Sequence, residues 1–241
     1  MYLARLSGPA SASWKVESQP IADSTPTFER IVLTAKTLPV LVKISAELFE
    51  DLSPEATATI ERELSLTLSL ELDRACLRGS GVDPEPTGIR NQSGVTITSL
   101  GGSGATPNWD NMIDAVAAVR AGNIEPDAIL WASRTQQTLD KVKDSQQRYL
   151  VPPVSLAEIP RLVTNQIPTN LTAGANTDAS EIYVGRWSDL LVGIRTDLRF
   201  QVRVLNERYI DNLEYGLLCF IRADTALAHP AAFNVVTGVR P

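Results

Sequence analysis

Apolar and polar positions follow different periods along this chain. Residues 64–72 read Leu-Ser-Leu-Thr-Leu-Ser-Leu-Glu-Leu, a strict alternation that taken alone is the period of a strand. The flanking signals oppose it. Ser53-Pro54-Glu55 is a helix start, with a capping serine, proline at the first position and an early acid. Ala56 and Ala58 favour helix, and Gly79 sits where a helix stops. Ile60, Leu64, Leu68 and Leu72 recur every four residues on one face, while Leu66, Leu70 and Leu77 form a second stripe. The spacing therefore predicts one continuous helix of about 25 residues, ~37 Å long and buried on two sides. It exits through Arg78-Gly79-Ser80-Gly81 and Pro86-Thr87-Gly88-Ile89.

Upstream, residues 39–45 alternate and enter an acidic corner, Glu47-Leu48-Phe49-Glu50-Asp51. Residues 14–38 read as a hairpin. Trp14 to Glu17 is its first strand, Asp23-Ser24-Thr25-Pro26 supplies turn chemistry, and Phe28 to Lys36 returns. Ile31, Leu33 and Ala35 share one face of the return, with Arg30, Thr34 and Lys36 on the other. A lone two-stranded hairpin is marginal in water, and its edges are templates for further pairing. It must pack on its own domain or lie on another subunit.

Downstream, a Gly/Ser/Thr loop over 94–104 holds a short strand, Val95 to Ile97. Thr106-Pro107 caps a second helix with Met112, Ile113, Val116 and Val119 inward. Ala128 to Ala132 is a strand, and Ser133 caps a third helix through Leu139 and Val142, so this stretch forms a small α/β unit. The remainder is β structure. Ile182 to Trp187, Leu190 to Ile194 and Gly216 to Arg222 are apolar strands, and Leu198, Phe200, Val202 and Val204 alternate with polar residues.

Composition narrows the function. A chain of 241 residues buries roughly 70–75% of its unfolded surface, enough for one large domain or two small ones. The net charge of −6 and the absence of a basic run argue against strong non-specific nucleic-acid binding. No apolar run reaches the roughly 18 residues a membrane span needs. Cys76 and Cys219 lack metal-ligand spacing and read as small buried hydrophobes. His229, the single histidine, would have to serve any triad and sits among small residues near the end of the chain. Glu47, Glu50 and Asp51 precede a helix start, where negative charge is favourable, and read as a solvated corner. Gly101-Gly102-Ser103-Gly104 precedes a helix but lacks the Lys-Ser/Thr of a phosphate loop. Trp14, Trp109, Trp131 and Trp187 are dispersed, as packing anchors are. No catalytic, cofactor-binding or metal residue is assigned, and the expectation is an assembly or binding protein that needs no cofactor.

Six segments, taken in order, resemble the major capsid protein of tailed bacteriophages, the Johnson fold of the Hong Kong phage type. Trp14 to Glu17 with Phe28 to Lys36 resembles the extended E-loop. Leu41 to Asp51 is similar to the entry into the spine helix, and residues 78–89 to its exit. Asp127 to Leu130, Leu139, Val142-Lys143-Asp144 and Arg148-Tyr149-Leu150 resemble an axial-domain strand, helix and turn. Tyr183 to Ser188 and Ala226 to Phe233 resemble later strands of the family.

The resemblance implies an α+β fold with these parts: residues 1–13, a short remnant of an N-arm; 14–38, the E-loop hairpin; 39–81, a peripheral domain with the spine helix; 82–191, an axial domain; 192–225, peripheral strands; and 226–241, a closing axial strand. It implies a structural subunit, not an enzyme, that assembles into hexamers and pentamers of an icosahedral phage or prophage head around double-stranded DNA. An encapsulin-like bacterial nanocompartment shell is the alternative. The expected partners are further copies of the chain, with a scaffolding protein, a portal and a maturation protease as candidates. DNA would be enclosed without specific binding, and no membrane would be involved. The expected location is the virion capsid, assembled in the bacterial host cytoplasm. Trp14, Lys15, Glu17, Phe28, Arg30 and Lys36 are the expected intersubunit contacts. Some members of the family cross-link through Lys and Asn, promoted by Glu. Alignment puts Ile21, Tyr215 and Arg222 at those positions, so no cross-link residues are predicted.

Overall fold

Proline at position 54 and glycine at 79 bracket one uninterrupted helix in the computed structural model, which describes residues 1–8, 10–18, 23–51, 54–195, 203–205 and 211–241. The helix, α2 (Pro54–Arg78), follows a short helix α1 (Ala46–Asp51). Ser53, the expected cap, lies outside the described residues. The hydroxyl residues that interrupt the leucines are satisfied inside the helix. Ser65, Thr67 and Ser69 each donate to a carbonyl one turn back, at 2.8, 2.9 and 2.8 Å. Alternation here therefore does not specify a strand. Leu64 and Leu68 are buried, but Leu66 and Leu70 are 50% and 40% exposed. Burial on two sides is thus corrected for the middle of the helix, where one face is covered, and holds only at its end, where Ala75, Cys76 and Leu77 are all buried.

The hairpin forms, but from different residues. Its strands are β1 (Tyr2–Gly8) and β2 (Thr27–Val32), paired antiparallel from Tyr2↔Val32 to Gly8↔Thr27. Residues 10–16 have no regular structure and 17–18 lie in a turn. The stretch read as an N-arm remnant is the first strand, and Trp14 to Glu17 is not a strand. The physical reason is cross-strand matching. Tyr2 and Leu6 meet Val32 and Phe28, and Arg5 forms an ion pair with Glu29. The return strand also ends at Val32, earlier than Lys36.

A four-stranded antiparallel sheet carries the hairpin. It joins β3 (Lys36–Ser45), β9 (Leu190–Ile194), β10 (Arg203–Leu205) and β11 (Glu214–Leu227). β11 pairs with β3 through Ala223, and its last residues, Ala223 to Leu227, pair with β9. Leu38, Val40 and Leu72 pack on a core of Leu68, Cys219 and Ile221, so one face of α2 lies on this sheet. Residues 198–202 of the expected alternating strand lie outside the described residues.

The second sheet has six strands: β4 (Thr96–Ser99), β5 (Ala128–Trp131), β6 (Arg161–Val163), β7 (Leu171–Ala173), β8 (Asn176–Gly185) and β12 (Phe233–Val239). Their order is β4-β12-β8-β5-β6, with β7 on β8. Two clusters cover its opposite faces. Ile182, Val184 and Val236 join Met112, Val116 and Val119 of α3 (Trp109–Arg120) together with Leu139 of α4 (Ser133–Asp140) and Leu156 of α5 (Val154–Ala157). Tyr183, Phe233 and Val235 join Leu77, the last leucine of α2. Burial on both faces explains why these strands are apolar without alternation.

Local starts differ from expectation. Asn108 caps α3, exchanging hydrogen bonds with Asn111, in place of Thr106-Pro107. Ile113 is exposed. Ser133 is the first residue of α4 and donates to Asn165, leaving the cap position to Ala132. The early strand begins at Thr96, one residue late. Pro230 opens a 3₁₀ turn that separates β11 from β12, so the closing strand begins at Phe233. Trp109 and Trp131 are core residues as expected, but Trp14 is fully exposed.

Leu68→Ala is expected to cost roughly 2–5 kcal/mol through the cavity it leaves. Leu66→Ala should cost less than about 0.5 kcal/mol in the same monomeric subunit. Urea unfolding of both variants checks the one-sided burial of residues 64–70 of α2, and equal losses would contradict it.

Candidate intersubunit interface

Residues opposite one another in a hairpin share a face. One face of the β1–β2 hairpin therefore carries Tyr2, Ala4, Leu6, Phe28, Arg30 and Val32. Its four large apolar side chains, Tyr2, Leu6, Phe28 and Val32, are between 42% and 70% exposed. The Arg30 guanidinium lies 4.4 Å from the Tyr2 ring centroid, a cation–π contact that leaves the ring's other face free. The opposite face holds buried Ile31 and the Arg5–Glu29 pair.

The root of the hairpin is fixed, whereas its blade is uncovered. Leu33 is buried, donates from its backbone N–H to the Met1 carbonyl, and fills the space beside Gly193. Thr34 N–H donates to the Asp224 carboxylate at 2.6 Å, and Arg222 donates to the Ala35 carbonyl at 3.4 Å. Together these hold the arm to β11.

The six expected contact residues do not form one cluster. Phe28 and Arg30 lie on the apolar blade. Trp14, Lys15 and Glu17 are exposed in the irregular segment after β1. Lys36 is used within the subunit: its ammonium donates to the Glu85 carbonyl and lies 4.0 Å from the Asp83 carboxylate. Tyr2 and Leu6 were missed because the first strand was placed too late. Their signal was the Tyr2-Ala4-Leu6 spacing, which matches Phe28-Arg30-Val32 in reverse.

The helix exit is a second constellation. Gly79 and Gly88 approach so closely that a Cβ on Gly79 would lie 2.1 Å from the Pro86 carbonyl oxygen, and one on Gly88 2.4 Å from the Gly79 nitrogen. Glu85 accepts from Ser80 N–H at 3.0 Å and from Arg74. Hydrogen bonds from Ser80, then from Arg74, hold its carboxyl down at about 2. Glu181 is buried between Arg90 Nε at 3.1 Å and Arg78 Nε at 3.3 Å, and the Tyr183 hydroxyl donates to it at 2.8 Å. Burial, and then the Glu181 charge, push the Tyr183 phenol far above its usual range. This network was also missed. Its signal was a lone acid at the head of an apolar run, Glu181-Ile182-Tyr183-Val184.

Elsewhere the titratable groups are scattered. Cys76 and Cys219 are buried thiols, and desolvation pushes Cys76 up to about 12. His229 is exposed, with Nδ1 3.3 Å from Asp189. Glu47, Glu50 and Asp51 are exposed along α1. Among the described residues no group of three or more His, Cys, Asp or Glu is placed to hold a metal ion, and no helix is long and apolar enough to cross a membrane. At the aligned cross-link positions, Tyr215 packs edge-on against Phe49 at 5.4 Å and Arg222 serves the hairpin root, while Ile21 lies outside the described residues.

An α+β chain whose long helix joins two sheets, with a two-stranded arm standing off the body, has the fold of phage capsid subunits. The chain belongs to the phage capsid family, which matches residues 3–238. It is 27% identical over 203 residues to the major capsid protein of Klebsiella oxytoca phage phiKO2. That match covers 80% of this chain and 47% of the relative, so the chain spans about half the length of the curated relative it matches. Among solved structures, the capsid of a native GTA particle superposes with a TM-score of 0.75 at 18% identity, over 99% of this chain and 84% of that one. The Mycobacterium phage Bobi structure gives 0.76 at 16% identity, over 98% and 84%.

Glu85 makes the helix exit acid-sensitive. Its folded value of about 2 lies below the ordinary value of 4.5. The stability it contributes is therefore present above pH 4.5 and is lost as pH falls toward 2. Glu85→Gln should lower the melting temperature at pH 7, with the difference from wild type closing across that acid window. A constant difference from pH 7 to pH 2 would contradict the assignment.

Proposed function

We propose that the chain is the structural subunit of a tailed-phage head, with many copies forming hexamers and pentamers of an icosahedral shell around double-stranded DNA. The observation that carries this reading is the hairpin: a two-stranded arm with a fixed root and four large apolar residues uncovered on one face. An isolated arm of this kind gains its stability by lying on something. Membership of the phage capsid family supports a neighbouring copy as that surface. It also favours a phage shell over a nanocompartment, and no catalytic role is proposed.

On this reading the arm is Tyr2 to Val32. The peripheral domain comprises 39–81 and 192–225, built on the four-stranded sheet and α2. The axial domain comprises 82–191 and 226–241, built on the six-stranded sheet. Packaged DNA would be held by confinement, since a net charge of −6 gives it little attraction. A scaffolding protein, a portal and a maturation protease are proposed partner classes. The virion is the proposed location, with assembly in the bacterial host cytoplasm.

Electron microscopy of the purified chain should show capsomers or closed shells. Phe28→Asp places a charge at the outer end of the uncovered face, opposite Leu6, where the lone subunit has solvent. It should leave the melting temperature of the monomer unchanged and reduce the assembled fraction at least about tenfold, a shift of ~1.4 kcal/mol. A wild-type chain that stays monomeric at high concentration, or a variant that assembles normally, would overturn the reading.

A further inference from the structure

The outer side of α2 carries an apolar seam. Leu66, Leu70, Asp73 and Leu77 follow one another at steps of four, three and four residues. At 3.6 residues per turn they fall within an arc of about 60°, on the side of the helix opposite Leu68. Alternating steps of four and three are those of residues that face a second helix. Leu66 and Leu70 are exposed along this seam, whereas Leu77 is buried where the seam meets the six-stranded sheet. There the seam opens into a cleft of about 280 Å³, lined among others by Asp73, Leu77, Leu130, Leu162 and Val192. Leu162 and Val192 are exposed as well. An apolar strip therefore runs for about three turns along α2 and on to β6 and β9.

Two features say what covers it. Asp73 stands alone in the strip, exposed and without an ion pair or hydrogen bond among the described residues. Burial against its apolar neighbours holds its carboxyl above the ordinary value, a cost that a cation from a partner would offset. The second feature is the shape of the seam. Thr67 and Ser69 flank it, and their hydroxyls donate to the Glu63 and Ser65 carbonyls inside the helix. Small flanks with engaged donors let another backbone lie close without leaving a polar group unpaired. The rise between successive seam residues is about 6, 4.5 and 6 Å. A partner helix repeats those steps, whereas one face of a strand repeats every ~6.6 Å. The hairpin of another copy therefore matches the seam poorly.

We propose that the outer face of α2 and the adjoining cleft dock an amphipathic helix of another protein, with large apolar side chains along the seam and a lysine or arginine set against Asp73. Helix-in-groove recognition uses anchors at such spacing. A single charged position within an apolar seam fixes register and selects the partner. The cleft beside Leu77 takes the partner's last anchor. The proposal concerns a single subunit and does not rest on the shell reading.

The test uses the full chain and a fluorescein-labelled peptide of three heptads, with leucine at the seam positions and lysine at one central seam position. A second peptide carries glutamate there. Both are used at concentrations where light scattering shows them monomeric, and binding is read by fluorescence anisotropy. The lysine peptide should bind saturably in the micromolar range, about tenfold more tightly than the glutamate peptide, because opposed like charges are costly. Asp73→Lys should reverse that preference, which an indiscriminate apolar surface would not do. Leu70→Glu should weaken both peptides at least about tenfold and leave the melting temperature of the lone subunit unchanged, since Leu70 is exposed there. Saturable binding by a chain that forms no shells would support the docking face while counting against the shell reading. Absence of saturable binding, or an unchanged preference in Asp73→Lys, would overturn the proposal. So would self-association of the wild-type chain that Leu70→Glu abolishes, because a second copy would then be what covers the face.

Discussion

The close approach of Gly79 to Gly88 is the constraint on which the architecture rests. α2 must end abruptly, and the chain must turn back against its last turn before entering the six-stranded sheet. Backbone meets backbone there, with Gly88 N–H donating to the Gly79 carbonyl at 2.9 Å and no room for a Cβ on either residue. This contact lets one helix serve two cores. Leu68 packs with the four-stranded sheet, while Leu77, nine residues on, packs with Tyr183 and Phe233. The two sheets are therefore not independent bodies joined by a tether. They share a rigid element, and β11, which pairs with β3 and then β9 inside the four-stranded sheet, runs on through the turn at Pro230 into β12 of the six-stranded one.

Charge reinforces the same joint. A buried carboxylate is tolerable only when paired and hydrogen-bonded. Glu181 meets that condition by drawing Arg78 from the helix end and Arg90 from the returning chain onto β8. Glu85 does the same on the outer side, binding Ser80 and Arg74. The exit loop is thus clamped on both flanks by carboxylates. Beside the same loop, Asp224 fixes the hairpin root through Thr34, and its neighbour Thr225 donates to the Thr87 carbonyl. In each place a short, buried or half-buried acid converts a flexible connection into a defined angle. A subunit whose neighbours must arrive in fixed orientations depends on such angles more than on the stability of any one element.

Local signals made much of this legible. Pro54 and Gly79 mark the ends of α2 by backbone chemistry, and that chemistry outweighed nine residues of strand-like alternation. The apolar runs at 182–187 and 216–222 gave strands because burial on both faces needs no alternation. What failed depends on distant partners. β1 was misplaced because Trp14-Lys15-Val16 looks more strand-like than Ala4-Arg5-Leu6, and only pairing with Phe28 and Val32 decides between them. Leu66 and Leu70 were expected inside because leucine at helical spacing usually is, yet coverage is a property of what packs alongside. Glu181 and Arg90 lie 91 residues apart, so no spacing rule connects them.

The exposed apolar residues then have a common logic. Tyr2, Leu6, Phe28 and Val32 line the arm, and Leu66 and Leu70 line the open side of α2. Singly, such residues are ordinary on a protein surface. Here they follow the periods of their elements, two for the strands and four for the helix, so each makes a continuous stripe and not a scatter. A sequence under no demand beyond folding would place polar residues at those positions, as α2 does at Ser65, Thr67 and Ser69. Periodic apolar stripes on elements whose other faces are already satisfied are the pattern of surfaces awaiting a partner. The rigid joint at Gly79 and Gly88 is what keeps the part of the subunit bearing them in register with the six-stranded sheet.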